Sequence, residues 1–293
     1  MPIIIGLLCI LLTSCSSDKK NIRGIIDEND NSYMKTFLNF KTNLTKKIKA
    51  PQEFYGLPSN MEDMDIIYYE SEGLKLKAFL WNKNIDYKIR KPALIYFHGG
   101  FSVSYDELYQ CKKFVDEGFI VLTPTYRGEI ENPGFFECFL GEIKDAKESV
   151  KWLAKQPYID TTRIYTFGHS IGGGISLMLS FHDDIPVKFS GSSAGLYEPN
   201  IFEIWNQIGY TMPFDINKES ELIVRTPINS LTKMKREHLM YCGKEDEYAL
   251  ETQKIAIEYY AKNKLKLKFI EVNGDHSTSL ENALNNFYEF VNQ

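Results

Sequence analysis

The stretch 163–175 changes from strand-like to helix-like residues across a single serine, Ser170. Alternating β-forming residues precede Ser170, and three glycines and a helical run to Leu179 follow it. Gly168 and Gly172 flank the serine where a tight turn would bring strand and helix backbones too close for a Cβ. The pattern is typical of a strand-to-helix turn that holds the Ser170 hydroxyl at the tip of a sheet. A glycine-rich turn that only packs is the alternative.

The length and the charge of the chain limit its number of domains and its possible partners. A chain of 293 residues with 43% hydrophobic composition can bury one substantial core, so we expect one main domain with appendages. The net charge is −5, and lysines and arginines are scattered among acidic residues. Because such a surface creates no basic field, we expect no nucleic-acid partner.

Strand-like and helix-like segments alternate from residue 64 onwards. Residues 65–69 and 74–80 predict a hairpin, and the continuous apolar runs 93–97 and 119–123 predict strands buried on both faces. This order predicts an α/β fold with a mainly parallel central sheet, an N-terminal antiparallel edge hairpin and helices on both faces. We place this domain at residues 61–293.

The alternation is interrupted by residues 196–235, which are rich in aromatic residues and contain three prolines. A connection of this length is long for a plain crossover between strands. We therefore expect a cap insertion there, with Tyr197 and Trp205 as candidate walls of a substrate pocket. Packing alone is the alternative explanation for these aromatic residues.

The N-terminal segment has the pattern of a targeting signal. An apolar run, 3–12, is too short to span a bilayer and ends in Leu-Thr-Ser-Cys15, which resembles a bacterial lipobox. We expect residues 1–14 to be a lipoprotein signal peptide and Cys15 to carry the lipid, which would anchor the protein in a bacterial cell envelope. An ordinary cleaved signal or a buried apolar N-terminus is the alternative.

Residues 15–60 are expected to form a polar tether followed by an amphipathic helix. Apolar residues recur at Tyr33, Phe37, Leu44 and Ile48 with lysines between them, and Pro51 follows. The helix could lie on the main domain or on a membrane surface, and the first position is favoured.

An acidic residue and a histidine follow two later strands in the order that a serine nucleophile requires. Asp246 comes directly after the apolar run that ends at Cys242, and His276 comes directly after the run 265–272. A serine hydroxyl needs a base to take its proton and an acid to orient that base. The spacing predicts a Ser170, Asp246 and His276 triad on three loops at one edge of the sheet.

Backbone donors are expected beside the serine. The N–H of Ile171 is one candidate oxyanion donor, and the second is Gly100 or Gly99, since the loop 98–101 follows a buried strand. A tight turn alone is the other explanation of these glycines. His98 and Phe101 are further candidates for the pocket, and His169 is expected to be a packing or a pocket residue.

From about Met64 onwards the chain resembles the α/β-hydrolase domain of the prolyl oligopeptidase family and related single-domain serine esterases. The resemblance rests on five short motifs, His98–Phe101, Pro124–Gly128, Gly168–Gly173, Gly243–Asp246 and Gly274–His276. It implies serine-dependent hydrolysis through an acyl-enzyme, without a metal or cofactor.

The expected substrate is a small carboxylic ester, because nothing in the sequence marks a site for a peptide N-terminus. A prolyl-oligopeptidase-like peptidase that cleaves short peptides is the first alternative. A catalytically inactive binding protein of the same fold is the second. The sequence does not separate the acyl and alcohol groups that such an enzyme would accept, because pocket shape depends on how side chains converge.

Overall fold

The structure is a computed structural model, and it describes residues 37, 39–51, 63–198, 200–260 and 265–293. The predicted signal peptide, residues 1–14, and Cys15 lie outside these ranges. Eight strands form one sheet: β1 (Met64–Ser71), β2 (Leu74–Trp81), β3 (Lys91–Phe97), β4 (Ile120–Pro124), β5 (Ile159–His169), β6 (Phe189–Ser193), β7 (His238–Gly243) and β8 (Leu267–Val272).

The strands are arranged in the order β1-β2-β4-β3-β5-β6-β7-β8. β1 pairs antiparallel with β2, and β2 pairs antiparallel with β4. All other neighbours are parallel. The predicted edge hairpin and mainly parallel sheet are confirmed.

Helices cover both faces of this sheet. Their bounds are α1 (Tyr105–Tyr109), α2 (Lys112–Asp116), α3 (Leu140–Ala154), α4 (Ile171–Leu179), α5 (Asn200–Gln207), α6 (Glu219–Ile223), a 3₁₀ helix (Pro227–Lys233), α7 (Glu247–Tyr260) and α8 (Ser279–Val291). Within the described ranges, no helix is both long enough and apolar enough to cross a membrane.

Strand residues alternate between two hydrophobic cores. In β3, Ala93, Ile95 and Phe97 pack on the side of α3 and α4, whereas Leu94 and Tyr96 pack on the side of α2 and α8. All five side chains are fully buried. This is the period of two that a strand covered on both faces requires, and it explains the continuous apolar run.

The prediction of a helix from Tyr33 to Ile48 is wrong over residues 40–48, since residues 40–51 are not helical. Their backbone groups bond to distant segments instead. Thr45 N–H donates to the Pro213 carbonyl at 2.8 Å, the Ile48 carbonyl accepts from Phe136 N–H at 2.9 Å, and Ala50 N–H donates to the Gly128 carbonyl at 3.0 Å. These bonds hold 40–51, here called the strap, in an irregular path along the domain.

The predicted insertion lies between β6 and β7 and contains α5, α6 and the 3₁₀ helix. Its aromatic rings pack on loops from the main domain. The Trp205 ring contacts Phe101 with centroids 4.8 Å apart and stacks on Phe139 at 6.2 Å, and the Tyr210 ring lies 4.9 Å from Phe101. The insertion therefore covers the loops that follow β3 and precede α3.

A buried ion pair joins the loop after β4 to α3. The Arg127 guanidinium donates to both oxygens of Asp145, through Nε at 2.9 Å and Nη2 at 2.7 Å, and Nη1 donates to Glu137 at 2.9 Å. A Cβ on Gly141 would lie 2.4 Å from Arg127 Cδ, so only glycine leaves room for this side chain. The bidentate geometry fixes α3 against the sheet.

Asp145→Asn should lower the free energy of unfolding by about 3 kcal/mol, because it removes one partner of a buried charge and leaves Arg127 incompletely paired. Asp160→Asn is the matched control, since Asp160 pairs with the half-exposed Arg163. That variant should lose no more than about 1 kcal/mol. Urea unfolding of both variants measures the difference, and equal losses would contradict the role given to Asp145.

Candidate active site

Ser170 occupies a strained turn between β5 and α4. Its φ is 52° and its ψ −116°, a combination that L-residues rarely adopt. A Cβ on Gly168 would lie 2.0 Å from the Gly172 carbonyl oxygen, and a Cβ on Gly172 would lie 2.0 Å from the Phe97 carbonyl oxygen. Both contacts are impossible for any other residue, so the two glycines permit the close approach of β5, α4 and β3.

Three residues from separate loops form a continuous hydrogen-bonded chain. His276 Nδ1 lies 2.7 Å from Asp246 Oδ2, and His276 Nε2 lies 3.1 Å from Ser170 Oγ. An ionised carboxylate only accepts, so Nδ1 carries a proton, and Nε2 of the neutral ring is then free to accept from the serine hydroxyl. These are the distances of a base within reach of its nucleophile.

Asp246 is fixed from both sides. Its Oδ1 accepts from the N–H of Ala249 at 3.2 Å, in the first turn of α7. Gly243 and Gly274 bring the two loops together, because a Cβ on Gly243 would lie 2.2 Å from the Gly274 carbonyl oxygen. The carboxylate that faces His276 is therefore oriented by the helix N-terminus and not by the histidine alone.

His169, predicted as a packing or a pocket residue, packs beneath the loop that carries His276. His169 Nε2 lies 2.8 Å from the His276 carbonyl oxygen, and the two rings are 5.2 Å apart. His169 Nδ1 is 3.6 Å from Glu107 Oε1, and the Tyr96 hydroxyl donates to Glu107 Oε2 at 2.6 Å. This side chain supports the backbone of His276.

Glu107 and His169 stabilise each other's charged form. Burial would raise the pKa of Glu107, but the contacts with His169 outweigh it and lower that pKa to about 2. Burial would lower the pKa of His169, but Glu107 outweighs it and raises that pKa. The imidazolium form can donate to the His276 carbonyl while facing the Glu107 carboxylate.

The two glycines proposed for the oxyanion site have different surroundings. Gly100 has a φ of +69° and lines a cavity together with Ile171, the first residue of α4. A Cβ on Gly99 would lie 3.0 Å from His169 Nδ1 and 3.1 Å from Glu107 Oε1. A side chain at Gly99 would therefore crowd the ion pair of His169 and Glu107, whereas Gly100 and Ile171 line the cavity.

That cavity has a volume of about 20 Å³. It is lined by Gly100, Phe101, Tyr126, Phe136, Cys138, Phe139, Glu142, Ile171 and Ile175. Among the five residues proposed from sequence as pocket walls, only Phe101 belongs to this lining. Aromatic and aliphatic side chains dominate it, and Tyr126 and Glu142 supply its polar side chains apart from the Cys138 thiol.

The other three proposed walls are engaged elsewhere. The Tyr197 hydroxyl pairs with Ser192 Oγ at 2.6 Å, and Trp205 lies behind Phe101 and Phe139. His98 is fully buried, with Nε2 3.2 Å from Glu129 Oε1.

His98 and Glu129 join the loops after β3 and β4. Burial would lower the pKa of His98, but the charge of Glu129 outweighs it and raises that pKa. Glu129 also accepts from the N–H of Tyr126 at 2.8 Å and from the N–H of Val103. This pair fixes the position of Tyr126 at the cavity.

Glu107, Tyr126 and Glu142 were missed from the sequence. The sequence did contain a signal for Glu142, because Glu142, Ala146, Ser149 and Leu153 are spaced to share one face of a helix. In the structure all four residues of this face are buried. Glu107 gave no such signal. Across the described part of the chain, no group of three or more histidine, cysteine or acidic residues could hold a metal ion.

Residues 33–197 match the X-Pro dipeptidyl-peptidase (S15) family, and this match covers more than half of the 293 residues. The chain belongs to this family. The resemblance to α/β-hydrolases stated from its motifs is confirmed.

This S15 family chain is 26% identical over 197 residues to the α/β hydrolase domain-containing protein WAV2 of Arabidopsis thaliana, covering 62% of the chain and 61% of WAV2. It is 25% identical to the uncharacterized peptidase YtmA of Bacillus subtilis, covering 65% and 76%. The chain thus spans about three fifths of the length of WAV2.

Among solved structures, the esterase Pf2001 of Pyrococcus furiosus is similar to this S15 family chain with a TM-score of 0.64 and 18% identity. The similarity covers 84% of the chain and 98% of the esterase. At this identity the likeness concerns the fold alone.

Glu107→Gln should lower kcat about 10-fold while KM stays within about twofold, since it removes the charge that holds His169 under the His276 loop. Asp106→Asn is the control, because Asp106 is exposed on the same helix, α1. Steady-state kinetics with a p-nitrophenyl ester measure both constants. Unchanged kcat in Glu107→Gln would show that the ion pair only stabilises the fold.

Proposed function

We propose that this serine hydrolase cleaves small carboxylic esters through an acyl-enzyme on Ser170. The observation that carries the proposal is the hydrogen-bonded chain from Asp246 through His276 to Ser170, with distances of 2.7 and 3.1 Å. Ser170, Asp246 and His276 lie on the loops that follow β5, β7 and β8, at the carboxyl ends of these strands.

In the first step, His276 Nε2 takes the proton of the Ser170 hydroxyl while Oγ attacks the ester carbonyl carbon. Asp246 stabilises the imidazolium that forms and keeps its Nδ1–H in place. The carbonyl π electrons move onto oxygen, and the N–H groups of Ile171 and Gly100 are the proposed donors to that oxyanion.

In the second step, the tetrahedral intermediate collapses and the alkoxide leaves. His276 transfers its proton to this oxygen, which departs as the alcohol and leaves an acyl group on Ser170. Water then gives a proton to the neutral His276 and attacks the acyl carbon. The acid is released, and the proton returns to Ser170 Oγ.

The polarity of the cavity supports an ester over a peptide with a free N-terminus. Glu142 is the acidic residue in the lining, and burial and the charge of Glu137 raise its pKa to about 8. Its carboxyl is mostly protonated at pH 7 and does not present a fixed negative charge to an ammonium group. The S15 match and the likeness to YtmA favour the second candidate, hydrolysis of short peptides.

Turnover of p-nitrophenyl acyl esters against aminoacyl and peptidyl p-nitroanilides separates the two candidates. We expect the esters to be hydrolysed with the higher kcat/KM. Activity confined to the anilides would overturn the ester proposal and leave the peptidase in its place.

Ser170→Ala should reduce kcat by a factor on the order of 10⁴ to 10⁶, because the covalent route is removed. It should also abolish labelling by a fluorophosphonate probe. Ser277→Ala is the matched control, since Ser277 is an exposed serine next to His276 and should retain both activity and label. A Ser170→Ala protein that is still labelled would assign the nucleophile elsewhere.

We also propose that Cys15 is lipidated and holds the enzyme at a bacterial envelope membrane, on the strength of the sequence around it. The full chain expressed in a bacterium should fractionate with membranes, and Cys15→Ser should move it to the soluble fraction. Cys9→Ser, inside the proposed signal peptide, is the control and should remain with membranes. Membrane association of Cys15→Ser would contradict the anchor.

A further inference from the structure

The loop that follows β3 carries one proposed oxyanion donor but has no regular secondary structure of its own. It runs from His98 to Val103 and contains two consecutive glycines, Gly99 and Gly100. Gly100 has a φ of +69°, which other residues rarely adopt. Because glycine leaves the backbone free to rotate, contacts from outside the loop have to determine the direction of the Gly100 N–H.

One carboxylate contacts both ends of this loop. Glu129 Oε1 lies 3.2 Å from His98 Nε2, and the same oxygen accepts from the N–H of Val103. The other oxygen, Oε2, accepts from the N–H of Tyr126 at 2.8 Å. The side chains of His98 and Glu129 are each 1% exposed, so solvent hardly screens the attraction between their charges.

Glu129 is itself held in a compact turn after β4. Its N–H donates to the Tyr126 carbonyl at 3.2 Å, and its carbonyl accepts from the N–H of Asn132 at 2.7 Å. Arg127, in the same turn, forms the buried ion pair with Asp145 on α3. The carboxylate therefore reaches the loop after β3 from a separate and well-anchored segment.

The charge state of His98 follows from what its ring faces. Nδ1 lies 2.9 Å from the Gly99 carbonyl oxygen, and Nε2 faces Glu129. A carbonyl and a carboxylate only accept hydrogen bonds, so a ring that faces both carries a proton on each nitrogen. Burial alone would lower the pKa of His98, but Glu129 raises it, which agrees with an imidazolium at this position.

The contact with the Gly99 carbonyl reaches the proposed donor directly. This carbonyl and the N–H of Gly100 belong to one planar trans peptide, in which the two groups point in opposite directions. A contact that fixes the carbonyl therefore also fixes the direction of the N–H. The chain of contacts runs from Glu129 through the His98 ring to this peptide.

We propose that Glu129 and His98 are positioning residues of the oxyanion site, and that they aim the Gly100 N–H at the substrate's carbonyl oxygen through the Gly99–Gly100 peptide. The proposal rests on the acyl-enzyme function proposed above. An oxyanion donor acts mainly in the transition state, where the negative charge develops, and much less on the bound ester. Loss of the pair should therefore lower kcat and leave KM nearly unchanged.

Glu129→Gln keeps the size of the side chain but leaves one acceptor oxygen where the carboxylate uses two. We expect kcat for a p-nitrophenyl ester to fall about 10-fold or more with KM within about twofold, since outright loss of an oxyanion donor costs about 100- to 1,000-fold in kcat. Glu131→Gln is the matched control, because the Glu131 side chain lies in the same loop and is 87% exposed. Equal kcat in the two variants would overturn the proposal.

A trifluoromethyl ketone separates positioning from a purely structural role. Ser170 Oγ adds to its carbonyl carbon, the hydroxyl proton passes to His276, and the adduct carries an oxyanion. Its inhibition constant should rise in Glu129→Gln by about the factor that kcat/KM falls. Titration of active sites with a fluorophosphonate probe corrects kcat for the folded fraction. An unchanged inhibition constant would show that the pair only stabilises the fold.

His98→Asn removes the imidazolium and should raise the same inhibition constant. The double variant should lose little more kcat than the more impaired single variant, because both residues act through one peptide. Losses that multiply in the double variant would mean that Glu129 and His98 act separately, which contradicts the proposal. If Glu129→Gln does not fold, the inhibition constant of His98→Asn decides the question alone.

Failure of the proposed function gives a different result. If the wild type cleaves peptidyl p-nitroanilides and no ester, the same variants are compared on the anilides, since both reactions pass through an oxyanion. Protection of Ser170 from fluorophosphonate labelling by the ketone measures the inhibition constant without any turnover. A wild type that is not labelled would remove the acyl-enzyme and the positioning role together. A labelled wild type whose inhibition constant equals that of Glu129→Gln would remove the positioning role alone.

Discussion

The close approach of three backbones at Ser170 is the constraint on which the rest of the site depends. The Gly172 position lies against the Phe97 carbonyl, and the Gly168 position lies against the Gly172 carbonyl, each too near for a side chain. This contact locks the end of β3 to the start of α4. Because Gly100 follows β3 and Ile171 begins α4, the same contact determines the separation of the two proposed oxyanion donors. The strained φ of Ser170 is a local cost of that arrangement.

Around this contact, buried charges fix the loops that must not move. Arg127 and Asp145 join the loop after β4 to α3, His98 and Glu129 join the loops after β3 and β4, and Glu107 contacts His169 below the His276 loop. Each pair connects segments that are distant in sequence. Apolar packing alone permits small displacements, whereas a buried pair with defined hydrogen bonds specifies a geometry.

Local patterns in the sequence predicted those elements of the fold that depend only on nearby residues. Runs of apolar residues predicted the strands, and the glycines around Ser170 predicted the turn, because both depend on the backbone near them. The approach of Asp246 and His276 to Ser170 followed from their order after parallel strands. The residues 40–51 were misjudged since their periodicity resembled a helix, while bonds to Pro213, Phe136 and Gly128 decide their path. No local pattern encodes such partners. Tyr197 does not line the cavity for the same reason, because a side chain's partner depends on tertiary packing.

The strap connects two parts of the cavity's surroundings that are otherwise separate in the chain. It bonds to Phe136, which lines the cavity, and to the insertion, where Thr45 meets Pro213 and Thr42 Oγ1 donates to Glu221 at 2.9 Å. The insertion in turn packs Trp205 on Phe101, on another wall. The strap, the insertion and the cavity wall are therefore bonded into one unit, so any displacement of the insertion would also strain the bonds that position Phe136.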